Sequence, residues 1–330
     1  MNFDVVEKIA AAILYEGYIL YPYRPSAIKN RQRWNFGTLY PRAYAEAQRP
    51  AEPFRLVAEC LAVTGKKASL QVRVSFLQLV RQTPSPKRTD AENLHQAADP
   101  SLEWEEAVER RWEQFDIRLT DLMAAPLALI LLLDATGLAD ARGAGPDPEL
   151  RAEFSLKAEK LPERACRLSL ELLNGSALAR DVPATRAEAL ARSFVSAHVL
   201  LGISDGEFVS LLDPGEEFRE AAAACRNVGV FPVLAGEEPD RTAILCSPII
   251  LYDYPKIAPE SAGDFFDGTE MDEMLALRVL TLTDAEKAEM RAGDARGRRI
   301  LERTEALTNE SLLKAHGAIR GMREIRGDAP

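Results

Sequence analysis

The sequence predicts an α+β protein with an antiparallel β-rich body and a helical C-terminal part. Three observations predict it. Apolar and polar residues alternate at period two through most of the chain to about residue 253, the signature of half-buried strands. Polar stretches rich in Pro, Gly, Asp and Gln separate these runs. From Thr283 onward the alternation gives way to capped, charge-balanced helical patterning. The expected organisation is a body over residues 1–253 and a second part over 254–330, an acidic segment followed by helices.

The first residues, MNFDVVEKIAAAILYEGYIL, contain Asp4, Glu7 and Glu16 and lack a basic region ahead of the apolar stretch. They read as mature protein, not as a secretory leader. The run YEGYILYPYRPSAIKNRQRWNFG follows, from Tyr15 to Gly37. It interleaves Tyr18, Tyr21, Tyr23, Trp34 and Phe36 with Arg24, Lys29, Arg31 and Arg33, and Glu16 is its only acid. Aromatic residues are 7% of the chain, so this segment concentrates them. Its prolines hold Tyr21, Tyr23 and Arg24 in extended or turn backbone. The cations suit a phosphate, a carboxylate or an acidic partner segment. The same composition suits an internal polar network. Tyr21, Tyr23, Arg24, Lys29, Arg31, Arg33 and Trp34 are the candidate binding residues.

Strand patterns follow in order. Phe54, Leu56, Ala58 and Cys60 alternate, as do Leu70, Val72, Val74 and Phe76, and Thr64-Gly65-Lys66-Lys67 between them predicts a hairpin. Phe115, Ile117 and Leu119 alternate with Asp116 and Arg118. AAPLALILLLDATG is too short to span a bilayer as a helix and reads as a buried strand or core segment. Cys166, Leu168, Leu170 and Leu172 form another alternating set, and Val195 to Ile203 another. The latter runs into Ser204-Asp205-Gly206 and then Phe208 to Leu212, where Asp-Gly predicts a tight hairpin. CRNVGVFPVLAG, from Cys225, is strand-like.

DYPKIAPESAGDFFDGTEMDE, from Asp253 to Glu273, carries seven acids against Lys256 alone. Asp253, Glu260, Asp264, Asp267 and Glu270 are the candidate acidic cluster, suited to docking on the basic run or to favouring a helix N-terminus. The spacing does not fit an EF-hand. Thr283-Asp284-Ala285-Glu286 is a capping-box pattern. Helices after it would use Ile300, Leu301, Leu307, Leu312, Leu313 and Ile319 either to complete a core or to form a partner-binding arm.

A net charge of −10 and a pI near 5.1 argue against general nucleic-acid binding. Cys60, Cys166, Cys225 and Cys246 lie far apart, without zinc or redox spacing, and read as free thiols of a cytoplasmic protein. Arg226 beside Cys225 would favour a thiolate, but His95, His198 and His316 are tied to it by no motif. Phosphate-loop, dinucleotide, zinc-protease and nucleophile-elbow signatures are absent. No metal site, cofactor or membrane insertion is expected, and the balance leans away from an enzyme.

LYEGYILYPYRPSAIKNRQRWNFG, CRNVGVFPVLAG and SPIILYDYPKIAPESAGDFFDGTEMDEML together resemble an uncharacterised bacterial protein family encoded in nickel–iron hydrogenase gene clusters of the actinobacterial type. The resemblance runs from about Leu14 to about Met290. It implies a hydrogenase accessory or assembly factor whose partner is a hydrogenase subunit or a maturation protein. The competing expectations are an enzyme or metal-handling protein of maturation, and a structural subunit of the mature hydrogenase. The resemblance supplies no catalytic residue.

Overall fold

One strand organises the body: β1, Arg55–Arg81, 27 residues long. The computed structural model describes residues 4–17, 21–23, 27, 36–81, 105–133, 149–162, 164–178, 184–257, 272–292 and 295–308. The chain divides into two units, Met1–Tyr18 with Trp34–Lys256, and Ile19–Arg33 with Ile257–Pro330. The central residues of the basic-aromatic run therefore group with the C-terminal part.

In the first unit, helices α1 (Asp4–Leu14) and α2 (Arg42–Ala47) precede β1. After it come β2 (Glu105–Arg118), α3 (Leu119–Ala124), β3 (Leu127–Leu133), β4 (Leu150–Lys160) and β5 (Ala165–Asn174). Then follow α4 (Arg186–Leu190), β6 (Val195–Val209), α5 (Arg219–Ala223), β7 (Phe231–Leu234) and β8 (Ala243–Ser247). The sheet order is β3-β4-β5-β1-β6-β8-β7, with β2 also on β1. Every pairing is antiparallel. This is the expected β-rich α+β architecture.

On one edge β1 pairs with β5 through Arg55–Val63 and with β2 from Ser69 onward, while β6 runs along the other edge. The two arms curl toward each other, so the Trp112 ring of β2 lies 5.0 Å from that of Phe154 on β4. The enclosed core holds the alternating sets read from the sequence: Leu56, Ala58, Cys60, Leu70, Val72, Val74, Phe76, Leu168, Leu170, Val199 and Leu201. Leu119 and Leu122 of α3 belong to the same core.

Two expected hairpins are replaced by one bulge. β1 runs straight through Thr64–Lys67 and β6 straight through Asp205-Gly206. The register jumps from Thr64↔Gly206 to Ser69↔Ser204, so four residues of β1 face one of β6. Asp205 sits at φ 50°, and its Oδ2 accepts from the Lys67 N–H at 2.8 Å. The turn residues are consumed in bending two paired strands, not in reversing them.

In the second unit, α6 (Asp272–Leu280), α7 (Asp284–Ala292) and α8 (Ala295–Glu305) bury Leu275, Ala276, Val279, Met290, Ile300 and Leu301. The predicted capping box forms: Thr283 Oγ1 accepts from the Glu286 N–H at 3.3 Å, and Glu286 Oε2 accepts from the Thr283 N–H at 2.9 Å. Arg291 reaches both carboxylate oxygens of Glu305 at 2.9 and 3.0 Å. These helices thus own a core, while Leu312, Leu313 and Ile319 lie outside the described residues. No helix among the described residues is long and apolar enough to cross a membrane.

Candidate functional site

Of the residues nominated from the sequence, Arg24, Lys29, Arg31, Arg33, Trp34, Glu260, Asp264, Asp267 and Glu270 lie outside the described residues. Tyr23 is buried and Tyr21 meets it edge-on at 6.1 Å between ring centroids. The Arg278 guanidinium of α6 stands 5.6 Å from the Tyr21 ring centroid, a cation–π distance. Asp253 closes the body: Oδ1 accepts from the Leu234 N–H at 2.8 Å, and Oδ2 accepts from the Ser210 hydroxyl. Ser210 Oγ in turn accepts from the Leu212 and Asp213 N–H groups at 3.1 and 2.8 Å. Asp253 is thereby a clip between the ends of β6 and β7.

The flanks of the run are held by groups that carry no motif in the sequence. α1 carries Val6, Ile9 and Ile13 on one face, and they pack on Leu200, Val233 and Leu245 of the outer sheet face. Beside this seam lies a ring of ions. Glu7 accepts from Arg73 Nη1 and from Arg111 Nη2 at 3.4 Å, and Glu113 forms ion pairs with Arg73, at 3.0 Å from its Nε, and with Arg111. Arg73 is 12% exposed and holds the Glu7 carboxyl below the usual carboxylate range. Just beyond, the Tyr15 hydroxyl donates to Glu109 Oε1 at 2.7 Å. At the other flank, Gly37 has φ 53° and a Cβ there would stand 2.5 Å from Pro248. Leu39 bridges to Phe194, and buried Asn174 donates to the Leu39 and Arg192 carbonyls, both at 2.8 Å.

Under α1 is a cavity of about 260 Å³ that includes Glu7, Arg73, Ser75, Glu109, Arg111 and His198 in its lining. His198 is 2% exposed, and its Nδ1–H donates to the Ser196 carbonyl at 3.0 Å. Burial lowers its pKa, so the imidazole is neutral. Of the guanidiniums in the lining, Arg73 and Arg111 are matched by carboxylates, while Arg110 donates through Nε to Gln78 Oε1 at 2.8 Å and its buried Nη2 has no hydrogen-bond partner among the described residues. The arrangement is therefore suited to locking α1 on the sheet.

Cys225 has Arg167 beside it, not Arg226, and burial outweighs that cation and raises the thiol pKa. The Arg226 N–H instead donates to Glu59 Oε2 at 2.8 Å. Cys60, Cys166 and Cys246 are buried free thiols. Burial pushes Cys166 to about 11 and Cys246 to about 12. These four are protonated at neutral pH, unsuited to nucleophilic chemistry. Among the described residues, no group of three or more His, Cys, Asp and Glu could hold a metal ion.

One surface departs from expectation. The apolar run of β3 predicts a buried strand, yet only Leu127, Leu129, Leu131 and Leu133 turn toward the core. Ile130 and Leu132 face outward at 59% and 58% exposure. Their register partners on β4 are Glu153 and Arg151, which form an ion pair at 3.1 Å. β3 ends the sheet order, so an apolar pair with a charged border sits on a terminal strand. No known family model matches the chain, and no curated protein matches it in sequence.

Proposed function

We propose that the protein is an accessory or assembly factor of nickel–iron hydrogenase biogenesis that acts by binding another protein. The observation supporting recognition is the outward apolar pair Ile130 and Leu132 on β3, at the end of the sheet. Such a strand offers backbone hydrogen-bonding groups and apolar side chains together. Its fitting occupant is an extended apolar segment of a hydrogenase subunit or maturation protein, added as a further strand. The hydrogenase setting rests on the resemblance of the N-terminal run and the two later motifs.

The test is capture of tagged protein from cells expressing the hydrogenase gene cluster, comparing wild type with the double variant Ile130→Lys and Leu132→Lys. Wild type should retain a hydrogenase-derived chain and the variant should lose it, with melting unchanged because both side chains are exposed. Equal capture by the two proteins, or none by wild type, defeats the proposal. Nickel in stoichiometric amount in the eluate would instead favour a subunit of the mature enzyme.

A further inference from the structure

The end of the body built by the bulge carries an arrangement of its own. Two adjoining cavities, of about 470 and 580 Å³, share Lys66, Ala68 and Thr120. The first is walled by Ala68, Leu119, Met123 and Ala165, with Lys66, Lys160 and Arg164 about it. The second adds Lys67 and Arg118, with Asp116 as the one acid among the described residues that line either cavity. None of these five cations has a carboxylate in ion-pair reach among the described residues.

The chain has 51 acids to 41 Lys and Arg, and Arg42, Arg55, Arg73, Arg111, Arg151 and Arg167 meet glutamates, whereas these five cations gather around two adjoining cavities. Leaving five cations together costs self-repulsion that a bound anion relieves. Their supports are fixed. Asp205 holds Lys67 by its backbone, and the Arg164 carbonyl accepts from Thr64 N–H at 3.0 Å. A concave site with an apolar wall and a few converging charges has the form of a small-ligand pocket, and each cavity falls in the usual size range.

We propose that this end of the body binds a small amphiphilic anion. Its acid group would lie among Lys66, Lys160 and Arg164, and its apolar part against Leu119 and Met123. This stands apart from the protein-binding surface on β3.

The test uses 8-anilinonaphthalene-1-sulfonate as the amphiphilic anion and uncharged N-phenyl-1-naphthylamine as its counterpart without the acid. Fluorescence titration of wild type should give saturable binding of one sulfonate probe per chain. The triple variant Lys66→Gln, Lys160→Gln and Arg164→Gln should bind it about tenfold or more weakly, while its affinity for the uncharged probe stays level. Met123→Ala should weaken both probes. The three cations are exposed, so the triple variant should keep its circular dichroism and melting temperature. Absence of saturable binding, equal affinity in wild type and triple variant, or several equivalent probes per chain overturns the proposal. Displacement of the probe by a short single-stranded DNA at lower concentration than by the free sulfonate also overturns it, in favour of a polyanion surface.

Discussion

Replacing His198 tests whether α1 is locked on the sheet by a neutral imidazole. His198 is buried, donates through Nδ1 to the Ser196 carbonyl, and shares its cavity with Glu7, Arg73, Glu109 and Arg111. Glu109 favours protonation, yet burial dominates and the folded pKa falls below 6.5. The sign follows from linkage. The unfolded chain binds a proton as pH drops through 6.5 while the folded protein does not. The stability contributed by this group is therefore whole above that pH. It is lost as pH falls toward the lower folded value, at a limiting slope of about 1.4 kcal/mol per pH unit. One unit below the unfolded value the loss is at most about 1.4 kcal/mol, or at most roughly 3–6 °C in melting temperature for a body of this size. Urea unfolding followed by tryptophan fluorescence between pH 7.5 and 5.5 measures it. His198→Gln should be less stable at pH 7.5 and should lack this part of the slope. A variant with the wild-type pH dependence would refute the assignment of a buried neutral His198.

Three further outcomes follow from the geometry. Gly37→Ala should destabilise the body by about 2–4 kcal/mol in denaturant unfolding, because left-handed backbone and the Pro248 contact add. Arg73→Ala should cost about 2 kcal/mol and raise the Glu7 pKa seen by carbon-detected NMR, since Glu7 and Glu113 lose the more buried of the two cations they share and keep only the half-exposed Arg111. Leu301→Ala should cost about 3 kcal/mol in the C-terminal unit, read as faster amide exchange in α6–α8 with the β1–β6 amides unchanged.

Much of the fold is legible where local pattern and tertiary role coincide. The alternation of Cys166 to Leu172 and of Val195 to Ile203 marks β5 and β6, and Thr283 with Glu286 marks the start of α7. The lock under α1 is not legible. Glu7, Arg73, Glu109, Arg111 and His198 come from four elements, and each looks like an ordinary exposed or isolated polar residue in its own segment. The same holds for Lys66, Arg118, Lys160 and Arg164, which only sheet pairing brings to one end. β3 misleads for a different reason. LALILLL is apolar at every position, so period-two alternation does not report that one face is turned outward.

The parity of the apolar positions decides the topology at the bulge. A hairpin looped through Thr64–Lys67 has four loop residues, so Val63 would face Ala68 and paired positions would sum to an odd number. Even-numbered Leu56, Ala58 and Cys60 would then share a face with odd-numbered residues of the return strand. Yet Leu70, Val72, Val74 and Phe76 are even, and all seven lie in one core. Side chains alternate strictly along a strand, so that parity excludes the four-residue hairpin and fits a chain that runs on. Parity does not settle Asp205-Gly206. Ile203 and Phe208 share a face in a two-residue hairpin and also across a single bulged residue. Pairing decides it: once β1 continues past Lys67, its partner β6 must continue as well to satisfy the backbone groups of both halves. The long strand thus dictates its neighbour's conformation, and the residues spared from turning become the cation-rich end of the body.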